Sequence, residues 1–233
     1  MVRQKYLKNV KLHDLDEAVL ARYFKHYDPK TLHLAPEQFV PLTAENLFGT
    51  QQPMELEVGC GTGEFLCSLA ASQPDVSFVG IDNWRKALYR AVENADALAL
   101  DNIRFLHADF LRMGPLLQPE SVQQVYLHFP PPYRRGRFHH AQLFTPTFLD
   151  WTALILTSGG RLSVMTDHAD YFLEMLALIE RDPRFEKVHQ ERSLTGFSPA
   201  EKSRFQRIWE RYGLDVLRFE VRKRPQPHQD AGG

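Results

Sequence analysis

From residue 54 onward, short runs of β-branched and apolar residues alternate with longer segments of helical periodicity, and this alternation leaves the chain few possible folds. The order strand, helix, strand is typical of βαβ units, because a parallel strand can be reached only through a crossover connection. The predicted strands are Met54 to Val58, Val76 to Ile81, Ile103 to His107, Val122 to Phe129, Gly160 to Thr166, Phe185 to Gln190 and Asp215 to Val221. We therefore expect an α/β fold with a doubly wound, mostly parallel, seven-stranded sheet.

The segments between these strands have helical patterns, and Gly159-Gly160 is interpreted as a helix stop before the fifth strand. The predicted helices are Gly63 to Ser72, Trp84 to Leu98, Ala141 to Leu156, Asp167 to Glu180 and Pro199 to Arg211. A chain of 233 residues fits one large domain better than two. We expect an N-terminal, mostly helical extension over 1–50, the main domain over 51–224 and a flexible tail over 225–233.

Composition excludes several classes of protein. No apolar run approaches the roughly 20 residues of a membrane helix, and no signal-peptide pattern follows the basic N-terminus, so we expect a soluble, cytoplasmic protein. Cys60 and Cys67 lack further Cys or His at zinc spacing, which predicts neither a disulfide framework nor a metal site. The net charge of −1 conceals three basic clusters, at Arg134, Arg135 and Arg137, at Lys202, Arg204, Arg207 and Arg211, and at Arg222, Lys223 and Arg224. Such clusters could form a phosphate-binding face.

The segment from Glu55 to Glu64 runs from an apolar strand into three glycines at alternate positions, Gly59, Gly61 and Gly63, and then into a helix. Glycines there let the backbone approach a ligand closely, although any tight strand-to-helix turn can use them. The dinucleotide motif would require a glycine at Glu64, and the Gly-Lys-Ser/Thr of a phosphate loop is absent. Glu57, two residues before the first glycine, would repel a diphosphate and attract a cation.

Two further acids follow the next two strands. Asp82 lies nineteen residues after Gly63, where it could accept hydrogen bonds from ribose hydroxyls, and Asp109 could accept one from an adenine amino group. Their neighbours Asn83 and Ala108 are included in the predicted site. Either acid alone could be a helix cap or a solvated turn. Three acids at the carboxyl ends of three successive strands favour a crevice for a cationic nucleoside such as S-adenosylmethionine.

The segment from Glu57 to Gly63 resembles the cofactor loop of class I methyltransferases. Three later stretches narrow the resemblance, over about residues 50 to 222, to the bacterial tRNA (guanine-N7)-methyltransferase family. The stretch Tyr126 to Arg137 resembles the family's Phe-Pro-Asp-Pro-Trp and its basic residues, Gly159 to Asp167 resembles a strand ending in Thr-Asp, and Ser203 to Gln206 with Gly213 resembles Thr-x-Phe/Tyr-Glu before a later glycine. Pro131, Tyr133 and Gln206 replace the family's aspartate, tryptophan and glutamate.

The resemblance implies a Rossmann-like class I methyltransferase fold, S-adenosylmethionine as cofactor and tRNA as substrate. The predicted substrate-binding residues are Tyr133, Arg134, Arg135, Asp167, Ser203, Arg204, Phe205 and Gln206, and the candidate catalytic residues are Asp167 and His128. Guanine N7 carries a lone pair and no proton, so transfer requires alignment more than a general base.

Three alternatives stay open. A protein of this fold could methylate another RNA position or a small molecule, or it could bind RNA without catalysis. His128 could also be an ordinary core histidine. The expected oligomeric state is a monomer or a homodimer.

Overall fold

A computed structural model describes residues 15–132, 142–194, 211 and 216–225, which form one mixed sheet with helices packed on its two faces. The strands are β1 Phe24–His26, β2 Met54–Val58, β3 Ser77–Asp82, β4 Ile103–His107, β5 Val122–His128, β6 Leu156–Thr166, β7 Phe185–Lys187 and β8 Leu217–Lys223. The α-helices are α1 Glu17–Tyr23, α2 Pro29–Leu34, α3 Ala44–Phe48, α4 Glu64–Ser72, α5 Arg85–Ala97, α6 Pro146–Ile155 and α7 Ala169–Glu180. Short 3₁₀ helices span Pro36–Gln38, Phe110–Arg112 and Gly114–Leu116.

The strand order is β1-β4-β3-β2-β5-β6-β8-β7, with β8 inserted antiparallel between β6 and β7. All other neighbouring pairs are parallel. The carboxyl ends of β4, β3, β2, β5 and β6 therefore lie along one edge of the sheet. The expected α/β architecture with a mostly parallel sheet is confirmed.

The described part of the chain contains eight strands, one more than the sequence predicted. The additional strand, β1, lies in the segment predicted to be mostly helical, and it pairs with β4 from Phe24↔Phe105 to His26↔His107. Three residues are too few to show a period-two pattern, and only the long-range contact with β4 makes them a strand.

The prediction that Gly159 and Gly160 stop a helix is wrong. Helix α6 ends at Ile155, and its final turn passes directly into β6 at Leu156, so both glycines lie inside a strand. Gly159 has φ +77°, and the register between β5 and β6 shifts between Val122 and Gln124. The glycines therefore accommodate an irregularity in the strand.

Two apolar clusters hold the sheet between its helices. One face of β4 and β3 contributes Phe105 and Phe78 to a cluster with Leu66 of α4 and Leu88 of α5. The other face packs against α6 and α7. All five residues of β2 are buried, so the strand that leads into the glycine loop is fixed on both faces.

Candidate functional site

The glycine loop connects β2 to α4, and all three of its glycines have positive φ, at +81° for Gly59, +56° for Gly61 and +69° for Gly63. These backbone conformations favour glycine. A Cβ built at Gly59 or Gly61 would meet nothing within 4 Å, whereas one at Gly63 would lie 2.7 Å from the Cβ of Ala91. The first two glycines thus border open space, and the third permits close packing between helices.

Asp82, at the end of β3, organises the loop. Its Oδ2 accepts a hydrogen bond of 2.9 Å from the backbone N–H of Gly61, and its Oδ1 accepts one of 2.8 Å from the backbone N–H of Trp84. The backbone N–H of Gly59 donates to the carbonyl of Ile81 at 2.7 Å. The second predicted acid and the glycine loop therefore form one unit.

Glu57, the first predicted acid, is almost fully buried, although the sequence suggested a carboxylate that attracts a cationic ligand. Burial and the neighbouring Asp82 carboxylate raise the pKa of Glu57 to about 8. Its Oε1 lies 4.0 Å from the Nδ1 of His128, and among the described residues its Oε2 has no hydrogen-bond partner.

His128, the last residue of β5, is also buried, and its Nε2 has no hydrogen-bond partner within the described residues. Its ring packs against those of Phe65 and Tyr126, with centroid distances of 4.7 and 5.4 Å. Burial, and secondarily the charge of Arg218, lowers the pKa of His128 to about 3. The imidazole is therefore neutral at physiological pH.

Asp109, the third predicted acid, follows β4 and is partly buried. Its Oδ1 accepts a 3.1 Å hydrogen bond from the backbone N–H of Leu111, and its Oδ2 lies 3.4 Å from the Nε of Arg112. The capping alternative therefore applies to this side chain, which caps a 3₁₀ helix. The adjacent Ala108 is buried and donates its backbone N–H to the Asp82 carbonyl at 3.1 Å, and Asn83 is exposed.

The turn after β5 has a strained backbone. Phe129 has φ +51°, which is unusual for a bulky residue, and its backbone N–H donates to the Met165 carbonyl at 2.6 Å. The next residue, Pro130, is buried, and Pro131 is exposed. Such strain is typical of functional loops, where it fixes the direction of the chain.

Asp167 lies immediately after β6, the neighbour of β5, and its side chain is exposed. The preceding Thr166 is buried, and its Oγ1 accepts a 3.2 Å hydrogen bond from the backbone N–H of His168. Asp167 and the Pro131 turn therefore belong to the same edge of the sheet as the glycine loop. The other predicted substrate residues, Tyr133, Arg134, Arg135, Ser203, Arg204, Phe205 and Gln206, lie outside the described residues.

The sequence reasoning missed Phe65, Tyr126 and Arg218, which surround His128. The spacing of Tyr126 and His128 at i and i+2 could have placed both on one face of β5. No local signal indicates Arg218, because its position depends on the pairing of β8 with β6.

The third predicted basic cluster is paired with acids of the chain itself. Arg222 and Arg224 both contact Glu186, with N–O distances of 2.5 and 2.9 Å. Lys223 is buried, and its Nζ donates to the Leu156 carbonyl at 2.7 Å and lies 3.4 Å from Glu120. These residues form a charge-compensated edge of the sheet.

Over the described ranges, no three His, Cys, Asp or Glu side chains are grouped so that they could hold a metal ion. No helix in the same ranges is both long and apolar enough to cross a membrane.

Comparison with known proteins gives concordant results. A family model described as "Putative methyltransferase" matches residues 51–218. A tRNA (guanine-N(7)-)-methyltransferase of Rubrobacter xylanophilus is 44% identical over 95% of this chain and 99% of its own length, and one of Chloroherpeton thalassium is 33% identical over 95% and 98%.

Solved structures with a similar fold include the antibiotic-resistance methyltransferase Kmr, with a TM-score of 0.58 and 16% identity over 81% of this chain and 96% of that one. TrmN of Thermus thermophilus gives a TM-score of 0.53 and 20% identity over 77% of this chain and 46% of that one. At such identities the likeness concerns the fold alone.

Proposed function

This chain belongs to the tRNA (guanine-N7)-methyltransferase family, and from that premise we propose that it transfers a methyl group from S-adenosylmethionine to N7 of a guanine in tRNA. The observation that carries the proposal is the 44% identity to a relative of that name over almost the full length of both chains. The glycine loop and the acids at the strand ends support the proposal, because they form a site that suits a cationic nucleoside donor. A reaction on tRNA implies a cytoplasmic location.

The loop fits a cationic nucleoside donor. Gly59 and Gly61 border open space, the Asp82 carboxylate accepts a hydrogen bond from the backbone of the loop, and Glu57 near the end of β2 is a carboxyl group that can ionise opposite a cation. A bound S-adenosylmethionine would supply an electrophilic methyl group on a sulfonium. The carboxylates would stabilise its positive charges, and Asp82 and Asp109 would accept hydrogen bonds from its ribose and adenine.

We infer the residues that bind the methyl acceptor from their positions at the ends of the neighbouring strands. Asp167 would accept hydrogen bonds from the N1–H and amino group of the guanine, which present donors on the edge away from N7. By resemblance, Tyr133 would stack on the base, and Arg134 and Arg135 would contact phosphates. Because N7 has no proton to lose, these residues need only align it with the methyl group, which is consistent with proline at position 131.

A methyl-transfer assay tests the proposal directly. Purified protein is incubated with undermethylated tRNA and methyl-labelled S-adenosylmethionine, and N7-methylguanine is mapped by strand cleavage specific for that base. We expect label in tRNA and cleavage at one guanine. Label without cleavage would instead favour another RNA position, and binding without label would favour a non-catalytic RNA-binding protein.

Asp167→Asn provides the variant for this assay. It removes the proposed acceptor of guanine hydrogens and leaves the donor loop intact. We expect kcat/KM for tRNA to fall by about 10- to 100-fold, because a lost hydrogen bond to a charged group costs about 1.5–3 kcal/mol. Donor affinity, measured by calorimetry, should stay unchanged.

A further inference from the structure

Two buried titratable side chains face each other beside the donor loop without a complete set of partners. Glu57 is 3% exposed and His128 is 7% exposed, and their nearest polar atoms, Oε1 and Nδ1, are 4.0 Å apart. That distance exceeds a hydrogen bond by about 1 Å. In the described part of the chain, Oε2 of Glu57 and Nε2 of His128 are buried with no hydrogen-bond partner.

Glu55 provides an internal comparison, because it lies on the same face of the same strand. Its two oxygens accept hydrogen bonds from the Tyr126 hydroxyl at 2.8 Å and from the Gln123 amide at 3.0 Å. The fold can therefore supply hydrogen-bond donors to a buried carboxyl group on this strand. The lack of hydrogen-bond partners is specific to Glu57, and leaving a buried polar atom unpaired costs about 1–3 kcal/mol.

The groups around the pair explain its protonation. Two charged groups act on it, Asp82 of β3 on Glu57 and Arg218 of β8 on His128. After burial, Glu57 in turn contributes to the raised pKa of three neighbouring groups, which are Cys60 of the loop, Cys67 of α4 and Tyr126 of β5. Burial, with the Asp82 charge second, raises the pKa of Glu57 to about 8. At pH 7 the free protein therefore holds Glu57 mainly as a neutral carboxyl beside a neutral imidazole.

We propose that binding of the donor expels one proton from Glu57 to solvent, and that His128 is a positioning residue that stabilises the resulting carboxylate. This inference rests on the proposed function, since it needs a cationic donor near the Glu57 carboxyl group. The O–H bond of the carboxyl breaks, the proton leaves to water, and the carboxylate remains opposite the cation. A movement of about 1 Å lets His128 donate its Nδ1–H to Oε1.

Titration calorimetry with S-adenosylmethionine in phosphate and in Tris, buffers of different ionisation enthalpy, measures the protons released. At pH 7 a group of pKa about 8 still carries about 0.9 proton, which Glu57 would release on binding. The donor's own α-amino group, with a pKa near 7.7–8.0, takes up about 0.1–0.2 proton at this pH when it binds in its charged form, so we expect a net release of about 0.7–0.8 proton per donor bound. The dissociation constant should increase about five- to sixfold from pH 7.5 to pH 6.5.

Two glutamine variants assign the proton. Glu57→Gln cannot ionise, so we expect proton release to fall below about 0.2 and the remaining affinity to become nearly independent of pH over this range. Glu55→Gln is the matched control, an equally conservative change at a buried carboxyl of the same strand. It should keep the release of the unaltered protein.

Two histidine variants separate positioning from packing. His128→Phe keeps a ring against Phe65 and Tyr126 but has no N–H, and we expect the dissociation constant to increase about 10- to 100-fold, the cost of one hydrogen bond to a charged group. His128→Asn places an amide N–H near the position of Nδ1 and should restore most of the affinity. Equal affinity in both variants and the unaltered protein would show a packing role and overturn the assignment of His128.

The outcomes distinguish this inference from the function on which it rests. If folded protein does not bind S-adenosylmethionine at all, the proposed function fails. If it binds and methylates tRNA but releases less than about 0.2 proton at pH 7, only the present inference fails.

Discussion

At the residue scale, residues of the same type in β2 and in the loop after it have different roles. Gly61 and Gly63 are two positions apart and both have positive φ, but only Gly63 has neighbours where a side chain would be. Glu55 and Glu57 are likewise two positions apart, and only Glu55 has both oxygens bonded. The sequence pattern places these residues correctly but does not reveal their surroundings.

Alanine substitutions should distinguish the structural role of Gly63 from the donor-binding role of Gly61. Gly63→Ala brings a Cβ to 2.7 Å from Ala91 and 3.0 Å from the Phe105 ring, so we expect a loss of about 1–3 kcal/mol in the free energy of unfolding. Gly61→Ala should cost only about 1 kcal/mol of backbone strain but weaken donor binding at least tenfold, because the new methyl group enters open space beside the loop. Denaturant unfolding and calorimetry measure the two effects, and equal effects of both variants would contradict this division.

Asp82→Asn should affect both binding and loop order. The amide keeps one acceptor oxygen, so one of the hydrogen bonds to Gly61 and Trp84 is lost together with the charge. We expect donor affinity to fall about 10- to 100-fold, in line with a charge-assisted bond of about 1.5–3 kcal/mol. Asp75→Asn, a change in the turn before β3, is the control and should leave the affinity unaltered.

At the element scale, β1 depends on contacts remote in sequence. Besides its pairing with β4, it is held by His26, whose Nδ1 lies 2.8 Å from the Nδ1 of His107, and the two rings stack at 4.7 Å. Only one of the two Nδ1 atoms can carry a proton in this contact. Burial, and secondarily His26, lowers the pKa of His107.

Acid should therefore loosen β1. The stabilisation from neutral His107 is complete above the unfolded pKa of about 6.5 and is lost as pH falls below it, because the unfolded chain then binds more protons. We expect faster amide exchange at Tyr27, whose N–H donates to the His107 carbonyl at 3.0 Å, at pH 5 than at pH 8 after correction for intrinsic rates. His26→Asn should reduce this difference, and an unchanged difference would count against the proton contact.

The sequence predicted elements with a clear local pattern well, and it predicted elements with an irregular backbone or with only remote contacts poorly. The bounds of β2 and β4 were predicted to the residue, because each is a buried run that ends at a glycine or a polar turn. Strand β1 was missed, and Gly159 was interpreted as a helix stop, since backbone irregularity inside a strand has the same local sequence as a cap. The strand-end acids followed from topology, whereas the burial of Glu57 depends on α4 and β5 and could not be predicted locally.

At the scale of the whole molecule, less positive charge is available to bind RNA than the three basic clusters suggest. The cluster at 222–224 is compensated by Glu186 and Glu120, and Arg161 and Arg218 pair with Glu220. This part of the surface offers little unpaired positive charge to RNA. The basic cluster at 134–137, which lies outside the described residues, stays a predicted contact.

The salt dependence of tRNA binding should show this difference. Arg222→Ala should leave the slope of log K against log salt concentration unchanged, because its charge is already paired with Glu186 at 2.5 Å. Arg134→Ala and Arg135→Ala should each reduce the slope by about 0.7–0.9, the value for one lost phosphate contact. Filter binding at several salt concentrations measures the slopes, and an equal reduction by Arg222→Ala would contradict the proposed face.

The position of β8 also determines when the sheet can be completed as the chain leaves the ribosome. Strands β2 to β6, with the whole donor loop, are synthesised first, while the outer edge of β6 stays bare until residues 217–223 emerge. A bare strand edge recruits other chains. A premature stop before Leu217 should therefore yield insoluble polypeptide, which sedimentation of the truncated protein would show, because the edge of β6 that pairs with residues 217–223 would stay exposed.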